Sequence, residues 1–173
     1  YASDITRTFP VGGRFSTLQR EVYEIVLAAQ QAAIDAVRPG TPFMDYHQAA
    51  LRVLAQGLID LKVIGGSVEG AVESEAYKPW YMHRTGHWLG LDVHDVGDYR
   101  NGPDENDWTR LVPGMTLTVE PGLYFAPGTN IPNHLHGIGV RIEDDVLVTA
   151  DGCTVYTSAP RTVAEIEEVM RHD

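Results

Sequence analysis

The sequence predicts an α+β fold, with helices lying on one face of a curved, mostly antiparallel sheet. Three observations lead there. Two long stretches carry apolar residues at helical spacing in the first part of the chain, short strand-like runs broken by Gly and Pro follow, and the two patterns never alternate as strand-helix-strand units would require. With 173 residues, 43% apolar and 21% charged, the chain holds enough apolar side chain for one core, so residues 1–173 read as one domain.

The stretch Ile5-Thr6-Arg7-Thr8-Phe9 is strand-like. A strand edge at a terminus needs a partner for its amides, and a chain opening at Tyr1 is therefore expected to lack upstream sequence. Gly12-Gly13 marks a turn. Ser16 with Gln19 reads as a capping box, after which Leu18, Val22, Ile25, Val26, Ala29 and Ala33 share a helix face until Arg38-Pro39-Gly40 ends the run. Thr41-Pro42 is expected to open a second helix, with Ala50, Leu51, Leu54, Leu58 and Leu61 on the face that packs on the first and Gly65-Gly66 beyond its end. Residues 67–79 read as a short helix or loop. From Trp80 onward strands are expected, above all Met115 to Val119 and Val140 to Thr149, punctuated by Pro113-Gly114, Pro121-Gly122 and Asp151-Gly152. Thr162 with Glu165 forms a second capping box, opening a terminal amphipathic helix that ends near Arg171.

A formal charge of -11 leaves no basic stripe to neutralise phosphates, which argues against nucleic acid as a partner. A cationic or neutral small substrate fits better. No run is apolar and long enough to span a bilayer or to serve as a signal peptide, so no membrane partner is expected. The single cysteine, Cys153, has no partner within the chain, and a cytoplasmic location is the expectation.

Three histidines, His83, His87 and His94, fall within a short stretch, and two isolated glutamates, Glu120 and Glu143, interrupt apolar strand-like runs. Burying a lone carboxylate there costs several kcal/mol unless a cation meets it. In strands, Arg141 and Glu143 share a face by period-two alternation, as do His83 and His87 if Tyr81 to Trp88 is extended. Carboxylate oxygens with one imidazole and no thiolate suit a hard divalent ion such as Mn²⁺ or Co²⁺, and admit Zn²⁺ and Fe²⁺. Two such ions about 3.5 to 4 Å apart activate a water against a carbonyl, which is peptide-bond hydrolysis.

Four blocks, Tyr1-Ala-Ser-Asp4-Ile-Thr-Arg-Thr-Phe-Pro10, His87-Trp-Leu-Gly-Leu-Asp-Val-His94-Asp-Val-Gly97, Met115-Thr-Leu-Thr-Val-Glu120-Pro-Gly-Leu-Tyr124 and Gly137-Ile-Gly-Val-Arg-Ile-Glu143-Asp-Asp, together resemble the aminopeptidase P family over essentially the whole chain. The resemblance implies a pita-bread fold, incomplete at its N-terminus. It also implies a dinuclear, usually manganese, centre that removes an N-terminal residue from peptides with proline second. Carried over by position, Asp4 and Glu143 bridge the metals, His87 and Glu120 complete the first site, His83 and His94 contact substrate or pass protons, and Arg141 steadies the carboxylates. The same resemblance places a further aspartate ligand eleven residues before Asp4, together with an upstream histidine and an N-terminal domain. One retained and one impaired metal site is therefore the expectation for this chain alone, with a homo-oligomer or association with the missing N-terminal part to supply the rest. Prolidase, which cleaves Xaa-Pro dipeptides, and a catalytically impaired fragment are the alternatives.

Taken singly, each residue has a plainer account: His87 as a core histidine, Asp4 as a strand end, Glu120 as a turn residue before proline, and Glu143 as the first of an acidic surface run with Asp144 and Asp145. One metal site accounts for all four together. His134 and His136 read as a polar surface loop, His47 and His172 as solvated helix residues, Cys153 as a small strand residue, Asp104 to Asp107 as a charged loop, and Trp88 and Tyr99 as packing or substrate contacts.

Overall fold

The computed structural model describes residues 1–104, 106–128 and 131–171. Helix α1 (Thr17–Ala36) begins at the Ser16 cap, whose side chain accepts from the Gln19 amide while the Gln19 side chain returns to the Ser16 amide. That satisfies two of the amide donors a helix N-terminus leaves over. Val22, Val26, Ala29 and Ala33 are fully buried on its inner face. Helix α2 (Asp45–Asp60) packs along α1, at a spacing set by Gly57: a Cβ there would lie 2.4 Å from Ile25 Cγ2.

The second helix starts later than Thr41-Pro42 suggested. The backbone of that segment is already engaged, Phe43 N–H donating to Thr109 O (2.8 Å) and Leu111 N–H to Thr41 O (2.9 Å), with Pro42 paired to Arg110 as an isolated bridge. Helix α3 (Val68–Glu73), capped by Ser67, fills the segment left open between helix and loop.

Five short strands follow: β1 (Thr116–Val119), β2 (Gly122–Tyr124), β3 (Gly139–Arg141), β4 (Asp144–Val148) and β5 (Cys153–Val155). They form an antiparallel sheet β1-β4-β5 and an antiparallel pair β2-β3, and α1 lies against β1, β2 and β3. The expected single strand over Val140 to Thr149 is thus split at Ile142 and Glu143. Between Trp80 and Met115 the described residues form isolated bridges rather than strands, at Trp88 with Leu117 and at Arg100 with Trp108. The opening strand likewise reduces to one bridge, Thr6 with Glu143. Helix α4 (Val163–Val169) carries the Thr162–Glu165 capping box and stops at Val169, short of Arg171.

One apolar cluster joins both long helices, the sheets and α4. His47, expected to be solvated, is instead 7% exposed inside this packing, because it continues the apolar stripe of α2 one turn before Ala50 and Leu51. His172 lies outside the described residues.

Candidate metal centre

Strand β1 pairs with β4 so that Val119 faces Asp144, and β2 pairs with β3 so that Gly122 faces Arg141. The register is the same on both sides, so the four strands are one two-stranded ribbon interrupted once, with Glu120 opposite Glu143 and Pro121 opposite Ile142. Pro121 has no N–H to continue the ladder. Glu143 turns its backbone to the opening segment instead, donating to Thr6 O (3.1 Å) and accepting from Thr6 N–H (3.4 Å). The break therefore places two carboxylates side by side in the sheet, 9% and 2% exposed.

Asp4 is brought to the same point by its neighbours. Both carboxylate oxygens of buried Asp145 lie 3.2 Å from the Asp4 amide, and Asp145 Oδ2 also accepts from Ser3 Oγ at 3.0 Å. Arg7 ties this segment down with its whole guanidinium, donating to the carbonyls of Thr6, Glu143, Ala159 and Pro160 and to Asp144 Oδ1 at 2.7 Å. Asp144, further held by Gln30 Nε2 at 2.8 Å, and Asp145 are thus buried and partnered, not the solvated run that a string of acids suggested.

His87 enters from the loop above β1. Its amide donates to Thr118 Oγ1 (3.1 Å), and its Nδ1 lies 3.0 Å from Trp88 O. A carbonyl can only accept, so Nδ1 carries a hydrogen and Nε2 is the ring atom turned toward the acidic side chains. Nε2 lies 3.4 Å from Asp4 Oδ2 and 3.4 Å from Glu120 Oε1. One imidazole nitrogen with carboxylate oxygens on both sides and no thiolate is a donor set that fits a divalent ion. Ligand atoms of His87, Glu120 and Glu143 all fall within 4.8 Å of one another, as do those of Asp4, His87 and His94. Burial lifts the Glu143 carboxyl to about 7, the nearby charges of Glu120 and Asp4 adding to the shift and the hydrogen bond from Thr6 Oγ1 opposing it.

His83 stands apart from this cluster. Its Nδ1 faces Arg84 O (2.7 Å) and its Nε2 the Tyr124 hydroxyl (2.7 Å), which accepts from Arg141 Nε at 2.8 Å. Burial lowers the His83 pKa, and Arg141 pushes it the same way. Arg141 reaches Glu120 as well, at 3.6 Å. His94 is exposed and stands edge-on to His87, ring centroids 4.2 Å apart. Trp88 and Tyr99 stack on each other against Phe43, as packing residues do. His134 is exposed in a 3-10 turn over Asn133–Leu135.

The sequence reading missed Tyr124, Thr118 and Asp145. A signal for the first two was present, since Thr118, Glu120, Gly122 and Tyr124 share one face of the ribbon by alternation. Gly122 leaves room for it: a Cβ there would lie 2.5 Å from the Tyr124 hydroxyl.

A model of metallopeptidase family M24 matches residues 1–150. An Xaa-Pro aminopeptidase of Haemophilus influenzae is 48% identical over 98% of this chain and 39% of its own length. A human Xaa-Pro dipeptidase is 38% identical over 98% of this chain and 40% of its own length. The solved structure of an aminopeptidase from Pseudomonas aeruginosa superposes with a TM-score of 0.94 at 53% identity, covering 98% of this chain and 38% of that one. The chain thus spans about two fifths of the length of the relatives it matches.

Proposed function

The chain belongs to metallopeptidase family M24, and on that premise we propose that it carries the metal-binding part of an aminopeptidase that releases an N-terminal residue from peptides with proline second. The observation that carries this reading is His87 Nε2 set between Asp4 and Glu120, with Glu143 opposite Glu120 in the ribbon. Asp4, His87, Glu120 and Glu143 hold the metal. The donor set, mostly carboxylate oxygen, favours Mn²⁺. A divalent ion there supplies a Lewis acid for the scissile carbonyl and makes water a better nucleophile at neutral pH.

The remaining residues act around that point. Arg141, Tyr124 and His83 form a donor chain that steadies Glu120 from one side and offers hydrogen bonds where a carbonyl oxygen gains charge. Exposed His94, beside His87, passes protons to solvent. The greater identity to the Xaa-Pro aminopeptidase supports the aminopeptidase over the dipeptidase. Exposed Phe9 and Val169 line an apolar hollow of about 220 Å³ with Pro160 and Met170, which supports association with further sequence or a second copy.

Metal stoichiometry by titration calorimetry with Mn²⁺, together with turnover of an Xaa-Pro-Yaa tripeptide and an Xaa-Pro dipeptide, tests the reading. Metal binding with preferred cleavage of the tripeptide, reduced about a hundredfold or more in Glu120→Ala, is the expected result. Tripeptide cleavage unchanged in Glu120→Ala sinks it.

A further inference from the structure

Helix α2 begins with two residues that a surface helix would not place there, Tyr46 (1% exposed) and His47 (7% exposed). Both face the segment that carries His83 and His87. The Tyr46 hydroxyl has no hydrogen-bond partner among the described residues and abuts Gly86, where a Cβ would lie 2.8 Å from it and 2.0 Å from Thr118 O. His47 Nδ1 lies 2.8 Å from the hydroxyl of Thr85, which is fully buried and also takes the Tyr81 hydroxyl at 2.6 Å. Thr85 sits midway between His83 and His87, and its carbonyl accepts the amide of Glu120 at 2.7 Å.

From this chain of contacts we infer that His47 is a positioning residue for the metal site: through the Thr85 hydroxyl it fixes the His83–His87 segment against Glu120. The inference rests on the metal-site reading and extends it to a residue that touches no ligand.

Thr85 has a single hydroxyl hydrogen and two close partners, so it donates to at most one of them, and a buried hydroxyl so engaged has one favourable rotamer. Its backbone then cannot slide along β1 without breaking three buried hydrogen bonds at once, those to His47, Tyr81 and Glu120. Only Gly86 allows the segment to press this closely on β1, and the same approach lets the His87 amide reach Thr118 Oγ1, which in turn lies 3.3 Å from Glu120 Oε1. Burial lowers the His47 pKa to about 4, with Arg84 and His83 pushing it further down, so near neutrality the ring is uncharged and adds no charge to compete with a bound cation.

Two variants separate positioning from bulk stability. His47→Phe keeps the aromatic volume and removes the nitrogen, whereas His47→Asn keeps a polar atom near the Nδ1 position. Amide hydrogen exchange at Glu120, with Val26 in α1 as the reference, reads the contact without metal, and titration with Mn²⁺ alone reads the consequence. In His47→Phe the Glu120 amide exchanges about tenfold faster while Val26 is unchanged, and Mn²⁺ binds about tenfold more weakly; His47→Asn recovers most of both. Unchanged Glu120 exchange in His47→Phe overturns the inference, as does an equal loss in both variants. A wild-type chain that binds no Mn²⁺ but shows the exchange effect removes the metal reading and leaves the positioning contact standing.

Discussion

Two buried groups of this molecule titrate in opposite senses, and their difference can be measured. Glu143, lifted to about 7 by burial, holds its proton in the folded metal-free chain at pH values where the unfolded chain has released it. Folding then binds protons, so the Glu143 contribution falls as pH rises from about 4.5 to about 7. His47, lowered to about 4 by burial, stays neutral in the fold where the unfolded chain takes a proton near 6.5. Its contribution is complete above about 6.5 and is lost as pH falls toward 4, by about 3 kcal/mol at most. The two slopes oppose each other over the shared window. Urea denaturation of the metal-free chain in steps from pH 4.5 to 7 is expected to show a steeper rise with pH in Glu143→Gln than in wild type, and parallel profiles would mean that Glu143 is not held protonated. Neither shift was legible in the sequence. Glu143 stands at the head of an acidic run that reads as surface, and the partner of His47, Thr85, lies far along the chain. What the sequence did display was a carboxylate interrupting each of two apolar strands, and His47 at helical spacing from Ala50, Leu51 and Leu54.

At the scale of elements, the interrupted ribbon is the feature that makes the site. Two strands of alternating apolar residues pair in one register on both sides of Pro121, and the break gives Glu120 and Glu143 to the same point. The sequence announced the strands and the proline, and both capping boxes are formed as read, because those signals are local. It did not announce that the second strand would divide at Ile142, since the partner that takes over the Glu143 backbone is Thr6, at the other end of the chain. The described residues between 81 and 115 depart from the expected strands for a related reason: their backbone groups bond to scattered partners in β1, in the segment 40–43 ahead of α2 and in one another rather than to a ladder. Gly86 shows how tightly that irregular segment is held. Gly86→Ala sets a methyl group against the Thr118 carbonyl, a rigid backbone atom, so β1 and the His87 loop must part. A loss of about 1 to 3 kcal/mol in urea denaturation is expected, with Mn²⁺ affinity falling as well, whereas Ser16→Ala at the far end of α1 costs about 1 kcal/mol and leaves the affinity unchanged. Equal effects of the two substitutions on metal affinity would separate the His87 loop from the site.

For the molecule as a whole, the net charge of -11 and the gathering of Asp4, Glu120 and Glu143 around one imidazole pose an electrostatic problem that a divalent cation resolves. Arg141, 3.6 Å from Glu120, is the nearest cationic side chain to the cluster among the described residues, and it is partly committed to Tyr124 and His83. An ion that binds only the folded chain stabilises it by about 2.7 kcal/mol at a hundred times its dissociation constant. For a domain of this size that corresponds to a rise in Tm of roughly 5 to 11 °C. An acidic surface also attracts divalent ions without any site, but that attraction is screened, with a Debye length of about 8 Å at physiological salt, and does not distinguish one carboxylate from another. Scanning calorimetry at physiological salt, with Mn²⁺ and then with excess chelator, is therefore expected to show a rise that the chelator reverses and that Glu120→Ala abolishes. A rise that survives in Glu120→Ala would assign the stabilisation to the diffuse surface charge rather than to the gathered side chains of Asp4, Glu120 and Glu143.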